Sequence, residues 1–419
     1  MSVALRELAA DLVEREGRPR LEQQGDEVHQ AFERVHGRGI ILSAMSSGRS
    51  GVRLRHGTVR AIRTERPGVL ELDVDVDDDL GERVSSGVAV AFTDLVGSVE
   101  PGDRVLLNTT AVALGLGTGG FHLVVAAPDR ASVDLGHPGR VMKARYTPLQ
   151  TAVPSVEETD REALEGSAGL GGAPVVCAPL HSMVAPIAAG ARAAGARTIA
   201  YVMSDGAALP GLLSNLVPSL RAAGLLDAFI TSGQAFGGEL ETVTIWTGLL
   251  AAVERAGADV VIVADGPGNL GTDTTWGVSA LASGHALNAA ETLGGRPVAA
   301  LRISFADERD RHRGVSHHSL TILDRVCKVA ANVAVPVLDG PGRDLVWEAL
   351  RGLRLEERHQ LVEAEGRPAL DELARAGIDA ESMGRTVADD PVFFLAAGAA
   401  GVLAGRMATG SRRYRRDAG

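Results

Sequence analysis

VIVADGPGNLGTDT (residues 261–274) is an apolar run of strand length that ends on an acid, Asp265. After it come Gly266, Gly268 and Gly271, which bracket Asn269 and lead into Thr272. A short apolar run bounded by turn residues reads as a strand buried on both faces. Four more runs of the same kind occur in order: APVVCAPL (173–180), ARTIAYVMSD (196–205), LDAFITSG (226–233) and RPVAALRISFAD (296–307). Between the five lie helical patterns, SMVAPIAAGARAAG, PGLLSNLVPSLRAAG, LETVTIWTGLLAAVERAG and WGVSALASGHALNAAETLGG. Three of these end in Ala-Gly, a helix stop. Buried strands alternating with helices predict a mostly parallel sheet in an α/β domain over 173–340, closed by C-terminal helices over 341–410. Within it, Trp246 and His285 sit at helical spacing with apolar neighbours and are expected to pack in the core.

Upstream the pattern changes. LDVDVDDDL (72–80) alternates Leu72, Val74 and Val76 with Asp73, Asp75 and Asp77, a half-buried strand with an acidic outer face. GVAVAFTDL, DRVLLNTTAV and FHLVVAA follow at regular spacing, predicting a small antiparallel β-domain, a barrel, over 53–135. The glycines of LGLGTGGFH (114–122) read as a loop between strands. Residues 136–172 form a Pro-containing connection, and 1–44 read as a charged helical extension or a start placed too far upstream. A basic tail, 411–419, reads as disordered and closes the chain.

Composition narrows the functional classes. A net charge of −11 argues against general nucleic-acid binding, which needs a basic face. Cys177 and Cys327, the only two cysteines, make no disulfide framework. The N-terminus is no secretory signal, and PVFFLAAGAAGVLAG (391–405) is too short to span a bilayer, so a soluble cytoplasmic protein is expected. Only Lys143 and Lys328 interrupt an otherwise all-arginine basic set. Nothing in the sequence fixes a cofactor or an oligomeric state, and a homo-oligomer is compatible with it.

In a parallel sheet, ligands bind outside the carboxyl ends of the strands. The residues there are His181 and Ser182, then Ser204 and Asp205, then TSGQAFGGE (231–239) with Ser232 and Gln234, then DGPGNLGTDT (265–274), then SFADERDRHRGVSHHS (304–319). The glycine loop is no Walker A motif, since the Gly-Lys-Ser/Thr ending is missing. It fits a dinucleotide fingerprint only in its letters, because no acid closes the next strand at the usual distance. The stretch RHRGVSHHS (311–319) gathers His312, His317 and His318 ahead of a helical pattern, SLTILDRVCKVAANV, whose Leu320, Leu323, Cys327 and Ala330 share a face. Ser316 is then the N-cap, with two neutral imidazoles in the first turn. Four uses compete: a metal site with Asp265 or Asp307, an acid–base site pairing His317 or His318 with Asp205 or Asp265, an anion site of Arg313, Ser316 and the helix start, and a plain cap. A small anionic ligand would be held by Asp265, Gly266, Gly268, Asn269, Gly271 and Thr272, with His317 or His318 as acid–base group or ligand. The alternative is a non-catalytic binding or interaction module that uses the acidic strand as a partner surface.

VMKARYTPLQ (141–150), ADGPGNLGTDT (264–274), FADERDRHRGVSHHSLTIL (305–323) and GRTVADDPVFFLAAGAAG (384–401) together resemble the bacterial domain of unknown function family 3866, over about residues 53–405. The resemblance implies no activity and transfers no catalytic role.

Overall fold

The computed structural model describes residues 51–77, 83–116, 120–130, 139–272 and 274–417. The helical segment expected over 1–44 lies outside them. From Leu54 onward the chain is one compact unit containing a barrel and a large sheet.

The barrel strands are β1 (Leu54–Arg66), β2 (Val69–Asp77), β3 (Arg83–Phe92), β4 (Arg104–Asn108) and β5 (His122–Ala126), closed in the order β1-β2-β3-β5-β4. Neighbours are antiparallel except β3 and β5, which run parallel and complete the closure. Alternate residues Val59, Leu72, Val74, Val105 and Leu107 fill the interior. The acidic face of β2 is not free surface, as the sequence suggested. Arg63 pairs with Asp73, Arg60 with Asp75, and Arg104 with Asp77 at 2.7 Å. Asp75 and Asp77 are buried beneath these arginines.

The connection carries a hairpin, β6 (Val141–Lys143) with β7 (Thr151–Val153). The sheet then takes β8 (Pro174–Cys177), β9 (Ile199–Ser204), β10 (Ala228–Thr231), β11 (Leu240–Glu241), β12 (Val260–Asp265) and β13 (Arg296–Ala300). After a small hairpin, β14 (Ile303–Ser304) and β15 (Gly314–Val315), come β16 (Asn332–Pro336) and β17 (Gln360–Ala364). The eight sheet strands lie in the order β11-β10-β9-β12-β8-β13-β16-β17, and every pairing is parallel.

Helices cover both faces: α1 (Val184–Ala193), α2 (Leu216–Ala222), α3 (Ile245–Glu254), α4 (Ala282–Thr292), α5 (His317–Thr321), α6 (Gly340–Gly352), α7 (Arg367–Ala376) and α8 (Pro391–Asp417). The strand period of two divides the core. Val176, Tyr201 and Ile262 face α1, α7 and α8, whereas Val175, Val202 and Val261 face α3, α4 and α6. Gly195, Gly224 and Gly257, just past α1, α2 and α3, adopt φ of 93°, 67° and 62°, the left-handed turn anticipated from Ala-Gly. With few aromatics, helices pack by close approach. A β-carbon on Gly401 of α8 would fall 2.0 Å from the Ile187 carbonyl of α1, so no larger residue fits there.

Several expectations change. The helical pattern over 319–333 stops early: α5 passes into a π-turn at Ile322–Val326, and NVAVP becomes β16. The 341–410 region holds β17 and a hairpin, β18 (Glu381–Ser382) with β19 (Arg385–Thr386), besides its helices. The last helix continues through Asp417 and takes in residues 411–417 of the basic stretch; 418–419 lie outside the described residues. Trp246 is 39% exposed and His285 is exposed, so neither is core. Pro391–Gly410 is long and apolar enough to cross a membrane, correcting the shorter span read from sequence, but 72% of its apolar window is buried inside the protein. It packs as a core helix against α1 and α7.

The direction in which successive strands are added to the sheet reverses around β12-β8-β13. β9 leaves a gap beside β8 that β12 later fills, and β13 steps to the other side of β8. The carboxyl ends of these central strands therefore border the crevice where parallel sheets take ligands.

Candidate functional site

The carboxyl edge carries two polar groupings of opposite character. The first surrounds Asp265, which is 3% exposed at the end of β12. Its carboxylate accepts from Ser204 Oγ (2.7 Å), the Gly206 N–H (3.1 Å) and Asn269 Nδ2 (3.2 Å). Burial raises the Asp265 pKa, and the Ser204 and Gly206 donors oppose that rise. Beside it, the Tyr201 hydroxyl donates to the Asp265 carbonyl at 3.0 Å. His181 Nδ1 must then donate to Tyr201 (3.1 Å), and its Nε2 accepts from Ser214 Oγ (2.8 Å). Burial pushes His181 down to about 4. Each of these groups has a protein partner.

The glycine loop is also knitted to itself. Thr272 N–H donates to Gly277, Ser279 N–H to Leu270, and the Leu270 N–H to Ser279 Oγ. Thr272 Oγ1 also donates to the Gly277 carbonyl. Those amides are engaged internally, while Gly268 takes a φ of 83° at the loop's exposed turn. Gly266 is buried, with no room for a β-carbon beside the Ala208 carbonyl. Asp205 accepts from the Gln234 N–H, and Gln234 Oε1 accepts from the Arg145 N–H. Ser232 is buried at the same edge.

Lys143 belongs to this satisfied part of the edge. It is wholly buried, and its Nζ donates to the carbonyls of Ala235 (2.8 Å) and Thr242 (2.9 Å) while pairing with Glu241 at 3.3 Å. Glu241 also accepts from Thr231 Oγ1 and the Gly237 N–H. Burial pushes Lys143 down and Glu241 up, each held back by the other's charge.

The second grouping is the histidine corner. The β14–β15 hairpin pairs Ser304 with Gly314 and Ile303 with Val315, returning the chain so that His312 meets the start of α5. Ser316 caps α5 as expected, its Oγ accepting from the His318 N–H. It also contacts His312 Nδ1 at 2.8 Å. Ring centroids lie 5.1 Å (His312–His317), 4.9 Å (His312–His318) and 4.0 Å (His317–His318) apart. One nitrogen from each ring lies within 4.8 Å of the others. His312 and His318 are buried and His317 is half-buried. Nε2 of His317 and of His318 has no hydrogen-bond partner.

All three imidazoles are held neutral, first by burial and then by cationic neighbours. His312 is pushed down to about 3, with Arg302 and Arg309 adding to burial and Asp307 opposing. His318 is pushed down to about 4, by burial, His317 and Arg302, Arg311 and Arg309. His317 falls through burial, Arg311 and Arg302. The sequence anticipated neutrality from the helix start, but α5 is only one turn and burial is the larger cause. Asp307 anchors the arginines. It accepts from Arg302 Nη2 at 2.9 Å and from Arg309 Nε and Nη2, also at 2.9 Å. These guanidiniums depress its pKa strongly, against the effect of burial. The turn of the β18–β19 hairpin, Met383 with φ of 52°, sets its sulfur against Arg302 and Arg309. Arg313 is exposed.

The edge thus brings Asp265, Asn269, Ser204 and Asp205 into bonded clusters and gathers the histidines in a second place. Gly271 joins the two, since a β-carbon there would lie 3.8 Å from His318 Cε1. Ser304 instead donates to Asp390 at 2.6 Å. Sequence reasoning passed over His312 as a site residue because spacings of five and six match neither helix nor strand. It passed over Met383 and Arg385, the latter 3.7 Å from Asp307, because they arrive from far along the chain.

Fold and site define a class: a barrel followed by a three-layer parallel α/β domain whose carboxyl edge holds a corner of three imidazoles flanked by arginines. The chain belongs to the family described as Protein of unknown function (DUF3866), whose model matches residues 88–401. The match begins inside β3, later than the resemblance suggested, and takes in the whole sheet and the histidine corner. No curated protein and no solved structure matches the chain.

Proposed function

We propose that this is a cytoplasmic protein, an enzyme or a non-catalytic binder, that takes a small anionic ligand in the corner of His312, His317 and His318 at the carboxyl edge of the sheet. One observation carries the reading. Unpartnered imidazole nitrogens of His317 and His318 sit where Arg302, Arg309 and Arg311 outweigh the carboxylate of Asp307. Such a field favours an anion, and imidazole N–H groups and guanidinium forks supply its hydrogen bonds. The histidines serve as ligands or donors more readily than as bases. A group with a pKa of about 3 or 4 lies three to four units below neutral pH, far from the match that proton transfer requires. Asp265 and Asn269 shape the neighbouring loop from within their own bonded cluster.

The test is a thermal-shift series on the purified chain with inorganic phosphate and small carboxylates. Stabilisation that vanishes in His317→Leu supports the reading, and no stabilisation by any anion overturns it. Turnover of a phosphate-ester or carboxylate panel then separates an enzyme from a non-catalytic binder. The interaction-module alternative has less to stand on, because arginines cover the acidic strand it would use.

A further inference from the structure

We propose that His312, His317 and His318 hold one first-row divalent ion of the zinc type, with a fourth position open to the anion proposed above. This deepens that reading and rests on the same corner, but its chemistry can fail on its own. Three imidazole nitrogens within 4.8 Å of one another form a three-histidine set. Bonds of about 2.0–2.1 Å in a tetrahedral site bring donors to roughly 3.4 Å apart, so the rings need to draw together by about 1.4 Å at most. An all-imidazole set suits zinc, copper, iron or nickel and not the hard ions magnesium or calcium.

The tautomers fit. Arg311 Nε donates to His312 Nε2 at 3.4 Å, which leaves the proton of His312 on Nδ1, facing Ser316 Oγ at 2.8 Å. A metal-bound imidazole orients itself by donating its other N–H to a nearby oxygen in this way. Nε2 of His317 and Nε2 of His318 are unpartnered, and His318 is 6% exposed. An unpartnered buried imidazole costs stability unless something occupies it. Half-buried His317 gives the entry path.

The nearby arginines oppose a cation, and their arrangement limits that opposition. Arg302 and Arg309 are both bonded to Asp307, while Arg311 alone points its Nε at a donor nitrogen of the set. Loading the ion displaces Arg311 from His312. The same positive charge then favours an anion in the fourth position.

The experiment uses the full chain with any tag removed, stripped by chelator and titrated with Zn²⁺ alone and with Co²⁺ alone. Expected are one ion per chain, the visible absorption of four-coordinate Co²⁺, and an affinity at least about 100-fold weaker in His317→Gln. Arg311→Ala should bind tighter, and exposed His285→Gln should bind as the parent does. Half-buried His317 tolerates glutamine, and a melting curve on each variant confirms that it is folded. Binding short of one ion per chain at millimolar metal, or parental affinity in folded His317→Gln, overturns the metal site. So does weaker binding in Arg311→Ala. A separate phosphate titration of the stripped chain keeps the two readings apart. Phosphate binding without metal binding leaves the anion reading standing and sinks this one. Metal binding with phosphate binding to neither the stripped nor the Zn²⁺-loaded chain does the reverse.

Discussion

Two stretches of one sheet edge, a loop apart, treat their polar groups in opposite ways. Around Asp265 each carboxylate, hydroxyl and ring nitrogen has a protein partner, and Lys143 with Glu241 repeats that completeness nearby. At the histidine corner, two ring nitrogens have none, and like charges crowd together. Satisfied buried groups hold structure, whereas unsatisfied ones in a strong field store instability that a ligand can relieve. A residue's chemical type does not separate the two. Asp265 looked at least as functional as His312 in the sequence, and only the partner each one finds distinguishes them.

The largest expected effect lies on the satisfied side. Lys143→Met leaves Glu241 charged and unpaired in the interior and should cost about 3–5 kcal/mol in urea unfolding. A cost near zero would mean the pair is less enclosed than its geometry indicates. Asp265→Ala strands the donors of Ser204 and Gly206 and should cost about 2–3 kcal/mol. Across the loop the sign should change, with His317→Leu neutral or stabilising by the same measurement.

The pH dependence sharpens the contrast further. His181, His312 and His318 have folded pKa values near 4, 3 and 4, below the ordinary 6.5. Between pH 6.5 and about 4 the unfolded chain binds protons that the folded chain refuses. Stability should therefore be level above pH 7 and fall as pH drops through that window, by at most about 1.4 kcal/mol per unit for each group. Unfolding midpoints from pH 8 to 4 check this, and His318→Gln should flatten the slope. Ser316→Ala, which removes the cap of α5, should cost about 1 kcal/mol.

Much of the fold was legible because its signals are local. Doubly buried strands such as VVIVAD read as apolar runs, and Ala-Gly marks where α1, α2 and α3 stop. The strands β16 and β17 were not legible. The spacing of Leu320, Leu323 and Cys327 carries a helical pattern up to NVAVP, and β17 at the sheet edge mixes apolar with charged residues. For the site, the edge and the cap at Ser316 could be read, since both follow from chain order. The meeting of His312 with His317 and His318 depends on a hairpin of two-residue strands, and the approach of Met383 on contacts between distant segments. Neither leaves a periodic trace. Burial of Asp75 and Asp77 was hidden for a similar reason, because arginines from neighbouring strands cover them.

The division of this edge into scaffold and site is tested most directly by thermal melts of Asp265→Ala and His317→Leu with and without inorganic phosphate. Asp265→Ala should melt lower than the parent yet keep the phosphate-induced rise. His317→Leu should melt at or above the parent and lose that rise. The reverse pattern, with phosphate stabilising His317→Leu and not Asp265→Ala, would contradict it.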